Sequence, residues 1–501
     1  MPPLFLPAKP TPVRRRSVVA SPVGRHALSL GLLCALLTGC ASTAPGSSTP
    51  PFIDVPARWQ NTTLERSSDL SSWWLRFDDP QLSALVADAL RANPTIASAR
   101  AAVRQARALR DVSNASLYPT LSTTLSAQNN RVNNSNDNTG TGTNTNTNTN
   151  TSTDRFALGL DAGWEIDVFG ANRSGVNAAE AAATASATSL GDVQVSIAAE
   201  LALDYIALRN AQERLEIARS NLAIQLDTLQ IVEWRLQAGL VTTLETEQSR
   251  TALEQTRSLI PALQVSIDQG AHAIAILTGR TPEALLGQLA PVASVPQPAD
   301  DITLSFPAET LRQRADVRFA EYQITAAAAR ESQAEAARLP SFRLGGSIGL
   351  NALTLVGLGS GATVVSGLLA SVSLPLFEGG ALSAQVRAQH AALEQAQSAY
   401  KTSVLGALRD VEDALVALRG DRLRLASLRL AAASAANASE LAGQRFQSGL
   451  VDFQTVLDTQ RTRLSTQDSV ASAYAAVSAD HVRLYKALGG GWQSDLRNSE
   501  L

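Results

Sequence analysis

Three of the four histidines (His272, His390 and His481, all outside the amino-terminal charged and apolar stretch that holds His26), two cysteines (Cys34 and Cys40) and one glycine-rich run (Gly357-Leu358-Gly359-Ser360-Gly361) are the residues whose types could carry chemistry. A metal held by imidazole or thiolate needs further ligands at short, regular spacing, and none of these histidines has a second His or Cys at such a distance. They read as helix-surface residues, and no metal site is expected. The glycine run has neither the spacing of a phosphate loop nor that of a nucleophile elbow, and it reads as a hairpin turn. No catalytic residues emerge, so the sequence does not point to an enzyme, and any energy must come from a partner. A formal charge of −3, from 42 basic and 45 acidic side chains, offers no basic field of the kind that selects nucleic acid.

The cysteines carry an address. Cys34 lies in the apolar run from Ala27 to Leu37, which follows Arg14-Arg15-Arg16, Arg25 and His26. A charged stretch leading into a short apolar run is the shape of a secretory signal, and the run is too short to span a bilayer as a mature helix. It ends in Leu37-Thr38-Gly39-Cys40, which resembles the bacterial lipobox. That resemblance implies cleavage before Cys40, a thioether-linked lipid on its sulfur and acylation of the new amino terminus. Several acyl chains anchor firmly where one binds only marginally. Residues 1–39 are therefore expected to be a lipoprotein signal peptide and 40–69 a lipidated amino-terminal segment. No cofactor is expected beyond the covalent lipid on Cys40. An ordinary cleaved signal with an incidental Cys is the alternative. Ala41 rather than Asp follows the Cys, which fits sorting to the outer membrane.

What such an anchor would hold is written twice. Arg235-Leu-Gln-Ala-Gly239-Leu240-Val241 matches Arg445-Phe446-Gln-Ser-Gly449-Leu450-Val451, and the same offset relates Leu277-Thr-Gly279 to Ala487-Leu-Gly489, Gly170-Ala171 to Gly380-Ala381, and Arg209 to Arg419. An offset kept over so long a stretch marks an internal duplication. Residues 70–280 and 308–490 are read as two copies of one unit. Between them, 281–307 holds Pro282, Pro291, Pro296, Pro298 and Pro307 and reads as a linker or equatorial segment, with 491–501 as a tail.

Each copy patterns as helix, strand, strand, long helix, turn, helix. Val193, Ile197, Leu201, Tyr205, Leu208, Leu215, Leu222, Leu226 and Leu229 recur at threes and fours, predicting a helix over 171–238 and its counterpart over 381–447. Each would reach about 100 Å and could be stable only beside others. Helices over about 241–278 and 451–488 follow the glycine turns, and shorter ones near 81–114 and 309–338 could stack end to end with them. Phe156, Leu158, Leu160, Ala162, Trp164, Ile166 and Val168 alternate with Ala157, Gly159, Asp161, Gly163, Glu165 and Asp167. That is period two with every acid on one face, over a length fit for a tilted transmembrane strand. Similar strands are expected near 117–128, 341–351 and 363–377, the last with blurred alternation. Period two alone fits a soluble amphipathic sheet as well. Residues 129–153, a tract of Asn, Thr and Gly, are expected to be a mobile external loop.

Four strands cannot close on themselves, lipid does not tolerate an open sheet edge, and single-chain barrels begin at about eight strands. Several chains must contribute. Two copies would reach eight strands and three would reach twelve, so counting alone does not select three.

Further motifs are Trp73-Trp74-x-x-Phe77-x-Asp79-Pro80-x-Leu82, Asn93-Pro94, Trp164-Glu165-x-Asp167-x-Phe169-Gly170, Arg314-x-Asp316-Val317-x-x-Ala320-Glu321 and Leu484-Tyr485-Lys486-Ala487-Leu488-Gly489-Gly490-Gly491-Trp492. Together they resemble the outer membrane factor family, specifically the lipoprotein channels of resistance–nodulation–division efflux systems, over nearly the whole mature chain. The resemblance implies a mixed α/β membrane protein: a homotrimer whose twelve-stranded transmembrane barrel, four strands per chain, continues into a long periplasmic helical barrel. It also implies an outer-membrane location in a Gram-negative bacterium, contact with outer-membrane lipid, and two protein partners, a periplasmic adaptor and an inner-membrane pump.

Carried over by position, Gln454, Asp458 and Arg461 would line a periplasmic gate, with Glu245 in the matching place of the first copy and Phe446 where relatives have Tyr. Gly239, Leu240, Val241, Gly449, Leu450 and Val451 would form the tips that meet the adaptor. A duct for type I protein secretion is the alternative within this architecture. A periplasmic adaptor or a structural coiled-coil lipoprotein are alternatives of another class, but neither accounts for the Phe156–Val168 pattern.

Overall fold

The computed structural model describes residues 70–133, 150–298 and 311–492, all within the unit Ser47–Leu501. The expected signal peptide 1–39, the lipidated segment 40–69 with Cys40, residues 134–149 of the polar tract, 299–307 of the proline-rich segment and 493–501 of the tail lie outside the described residues.

The first copy contains α1 (Pro80–Ala92), α2 (Pro94–Ala115), β1 (Thr120–Asn133), β2 (Asn150–Ile166), α3 (Ala171–Gln237) and α4 (Thr243–Leu277). The second contains α5 (Ala315–Ala336), β3 (Ser341–Ala352), β4 (Thr363–Ser373), α6 (Ala381–Gln447) and α7 (Phe453–Ala487). Counterparts agree in length: α3 and α6 have 67 residues each, α4 and α7 have 35, and α2 and α5 have 22. The single helix expected over 81–114 is two. Pro94 has no N–H to continue α1, and Asn93 serves both sides of the break. Its backbone N–H caps α1 on Ala89, and its side-chain oxygen accepts the N–H groups of Thr95 and Ile96 at the start of α2.

The long helices end in matching left-handed turns. Gly239 N–H donates to the Leu236 carbonyl and Leu240 N–H to that of Arg235, and Gly449 and Leu450 repeat both bonds with Phe446 and Arg445. The glycine φ values, +70° and +74°, explain why the repeat keeps Gly there. The same motif at Gly279 and Gly489 ends α4 and α7, and there a second element presses on the turn. The Asn93 side chain donates to the Leu277 carbonyl at 2.8 Å, and Arg314 donates to that of Ala487 at 2.8 Å. Thus α4 abuts α2 and α7 abuts α5, so each short pair runs on as one interrupted column beside a long helix of about 100 Å.

Residues 282–298 of the proline-rich segment are built into the core. Leu285, Leu289 and Val295 are buried with Trp73, Trp74, Phe77 and Tyr485 in the largest apolar core. Proline cannot donate, but carbonyls along this stretch accept buried side chains: Leu289 from Gln212, Pro291 from Arg209 and Pro296 from Ser478. Arg209, only 1% exposed, also donates to Gln212 and Gln81 and lies 4.9 Å from the Tyr205 ring. Tyr205 donates to Asp79 at 2.8 Å, and its burial pushes the phenol pKa to about 12. The repeat counterpart Arg419 is exposed, and the described part of the proline-rich band bonds to the first copy's long helix, not to Arg419.

His481 corrects the surface reading of the histidines: it is 1% exposed, where α7 packs against both long helices. Its Nδ1 lies 2.7 Å from the Val477 carbonyl and must donate there, leaving Nε2 to accept from Arg422 at 3.1 Å. Among the described residues no group of His, Cys, Asp or Glu could hold a metal ion.

The strands form one antiparallel sheet in the order β1-β2-β3-β4. β1 extends beyond the expected 128 to Asn133, because a backbone ladder does not depend on side-chain polarity. Asn129 faces Asp154 across it and donates to that carboxylate, so both ends of the Asn/Thr tract belong to the sheet. β4 is shorter than expected and ends at Ser373.

At Gly279 an added Cβ would meet the Ala92 carbonyl oxygen at 2.5 Å, whereas at Gly239 nothing lies within 4 Å. Gly239→Ala is therefore expected to cost only the left-handed backbone term, about 1–2 kcal/mol, and Gly279→Ala distinctly more. Denaturant unfolding of the solubilised protein measures both; equal losses would contradict the close approach of the α4 end to Ala92 at the junction of α1 and α2.

Candidate functional site

The candidate site has two ends: the sheet, and the tips where the long helices turn. Register places Leu121, Leu125, Leu158, Leu160, Trp164, Leu344, Ile348, Leu350, Val364, Leu368 and Val372 on one face. Ser122, Thr124, Asp161, Glu165, Arg343, Ser347 and Asn351 share the other, where Arg343 pairs with Glu165 at 3.1 Å. Val365 and Leu369 fall on the polar face, which explains the blurred pattern of β4. The apolar face is bare in the single chain: Leu368 is 82% exposed. Such a face fits lipid, and the polar face fits a lumen.

Sequence reasoning missed an aromatic rim. Tyr118, Trp164, Phe169, Phe342 and Phe377 all fall at the helix-side ends of the four strands, the position of an interfacial girdle. Trp164 donates to the Leu117 carbonyl at 3.0 Å, and Phe169 stands 6.2 Å from Phe342. The signal was present as aromatics flanking each strand, but it becomes visible only when antiparallel pairing aligns those ends.

At the tips, Leu240 and Leu450 are 74% and 73% exposed, while Val241 and Val451 pack on a small core of Val232, Ala252, Ala442, Phe446, Phe453, Val456 and Leu457. Gln454, Asp458 and Arg461 form one row on α7: the Gln454 amide donates to Asp458 at 2.9 Å, and Arg461 lies 3.7 Å from the same carboxylate. Arg461 also borders a cleft of about 520 Å³ between α3, α4 and α7. Glu245 is not in that row. It closes a capping box at the start of α4, accepting the Thr242 N–H at 3.0 Å and the Thr242 hydroxyl. Phe446 faces inward, its ring 5.4 Å from Phe453 and 4.2 Å from the Arg235 guanidinium.

A second set escaped the sequence reading. Along α3, Arg214, Asn221, Thr228 and Arg235 recur every seven residues, the spacing that keeps one helix face on a neighbour. They meet Asp468 at 2.6 Å, Gln467 at 2.9 Å, Gln460 at 2.8 Å and the carbonyls of Phe446 and Gln447 at 2.9 and 3.0 Å. This ladder ties the first hairpin to the second. A heptad of polar residues inside an Ala-rich helix was the available signal.

The profile of the Outer membrane efflux protein family matches residues 85–280 and 306–490. The chain belongs to this family. It is 32% identical over 479 residues to the pyoverdine export outer membrane protein OpmQ of Pseudomonas aeruginosa, covering 93% of this chain and 97% of that protein. It is 28% identical to the toluene efflux pump outer membrane protein TtgF of Pseudomonas putida, over 94% of this chain and 97% of that protein. Among solved structures it resembles the outer-membrane channel OprN, with a TM-score of 0.80 and 31% identity over 89% of this chain and 99% of that one. As an outer membrane efflux protein, the chain forms a channel of the Gram-negative outer membrane with a periplasmic helical extension, and it is not an enzyme.

Two carboxylates at the tips accept hydrogen bonds from neighbouring threonine hydroxyls. The Thr242 hydroxyl holds Glu245 below its usual range, and the Thr455 hydroxyl does the same for Asp452, the N-cap of α7. A carboxylate lowered in the folded state stabilises above its unfolded pKa, near 4, and that contribution fades as pH falls through the folded value. Amide-exchange protection at Leu244 and Thr455 is therefore expected to drop on acidification below about pH 4. In Glu245→Ala, protection at Leu244 should start lower and change little with pH; an unaltered pH response would remove the carboxylate from the cap.

Proposed function

We propose that three copies of this chain close one cylinder, a passive exit duct for small molecules. Each copy contributes four strands to a twelve-stranded barrel and two hairpins to the helical tunnel below. A periplasmic adaptor and an inner-membrane pump of the resistance–nodulation–division type deliver the cargo, and a lipid on Cys40 anchors each copy. The observation that carries this reading is the outer edge of β1 and of β4, unpaired among the described residues, beside a bare apolar face. The relatives named for pyoverdine export and for toluene efflux support a small organic cargo over a secreted protein. A relative named as a probable outer membrane lipoprotein supports the anchor.

In this reading Gln454, Asp458 and Arg461 narrow the periplasmic end. Three Asp458 carboxylates near one axis repel, and Arg461 on the next turn offsets them. Glu245 and Phe446 act behind this row, one by fixing the start of α4 and the other by seating Arg235. Leu240 and Leu450, bare at the tips, are the apolar contacts for an adaptor.

Asp458→Ala is expected to raise single-channel conductance and reduce cation selectivity in planar bilayers. Unchanged current and selectivity would take Asp458 out of the gate. Cys40→Ser is expected to abolish palmitate labelling of the cell-envelope protein; a variant that still labels would move the anchor elsewhere.

A further inference from the structure

The ladder between the hairpins has one rung whose acceptor is backbone rather than side chain. Arg235, four residues before the Gly239 turn, donates to the Phe446 and Gln447 carbonyls at the end of α6. Those carbonyls lie at a helix C-terminus, where partial negative charge collects and intrahelical partners run out. The repeat places Arg445 in the same position before Gly449, on a helix of the same length ending in the same turn. Arg445 is exposed, and among the described residues its side chain has no hydrogen-bond or ion-pair partner. At the end of α3, the matching carbonyls are those of Leu236 and Gln237. Trp234 beside them is 59% exposed, so this helix end too stands open.

In a ring of alternating first and second hairpins, the second hairpin of one copy meets the first hairpin of the next. We propose that Arg445 clamps the neighbouring copy of this chain, donating to the Leu236 and Gln237 carbonyls of that copy's α3. This rests on the assembly proposed above. The rest of the ladder is not reproduced across that seam. Arg424 keeps the place of Arg214, but Ser258 on α4 stands where Asp468 receives it, and Arg424 turns to Asp421 of its own helix at 3.7 Å. Where α3 has Asn221 and Thr228, α6 has Ala431 and Ala438, and where α7 has Gln467 and Gln460, α4 has Arg257 and Arg250. Side-chain rungs diverged, but a rung that ends on carbonyls needs only the arginine and the turn. The seam between copies is therefore the weaker one at the periplasmic end, and Arg445 is the rung that holds it.

The test pairs Arg445→Cys with Gln237→Cys in the full-length protein and treats extracted trimers with a short bis-maleimide. Covalent dimers and trimers on denaturing gels are expected from the double variant and from neither single variant. The pair Arg235→Cys with Gln447→Cys should cross-link within one chain and stay at monomer size. Trimers in unheated gels with no covalent ladder from the first pair would overturn the contact alone; a ladder from Arg445→Cys by itself would overturn it too. Absence of any trimer would overturn the assembly and this contact with it. As a second readout, Arg445→Ala is expected to raise the open fraction of channels in bilayers about tenfold, the scale of one lost charge-assisted hydrogen bond, with Arg445→Lys between it and the parent. An open fraction identical to the parent's would contradict the clamp.

Discussion

A β-strand edge in hydrocarbon has nowhere to send its N–H and C=O groups, and each unsatisfied group costs several kcal/mol. The rest of this molecule depends on that constraint. Its sheet pairs β1 to β2 to β3 to β4 and leaves the outer edges of β1 and β4 unmatched among the described residues. The face that register assigns to lipid is bare, and the helix-side strand ends carry aromatic residues. A sheet of this kind is a segment of a cylinder. The edges ask for strands of the same curvature and register, which other copies of the same chain supply.

Below the sheet, the duplication solves a different problem. A helix of 67 residues has no globular core to fold around, so it needs a column of similar length beside it. The chain builds that column from two shorter helices end to end, with Asn93 or Arg314 donating to the last carbonyls of the helix that abuts it. The left-handed glycine turns make each junction and tip geometrically alike in both copies. Side chains then break the likeness. The proline-rich band buries Arg209 while Arg419 stays exposed, and of the polar heptad of α3 only the arginines recur on α6, as Arg424 and Arg445, with Ala431 and Ala438 between them. Similar backbones with unequal side chains give tips that the polar ladder joins firmly within the chain.

Much of this was legible because the repeats and strands obey simple periods. The ends of α3 and α6 could be placed from Gly239 and Gly449, since only a left-handed turn demands glycine there. Period two assigned Asp161 and Glu165 to one face correctly, as register confirms. Other features needed the third dimension. His481 looked like a surface residue because nothing in the local pattern says that α7 is packed on more than one side. The prolines of 282–298 marked a linker or equatorial segment, but not that carbonyls along it are acceptors for α3 and α7. Glu245 and Asp458 looked like equivalents by their place after the turns, yet one closes a helix cap and the other lies in an exposed row with Gln454 and Arg461.

The central claim is that the sheet is completed by sister chains, and the number of chains in the extracted assembly tests it most directly. Native mass spectrometry of the detergent-solubilised protein should give a mass three times that of the mature chain, with no populated folded monomer. A folded monomer as the main species, or a closed dimer, would contradict the account.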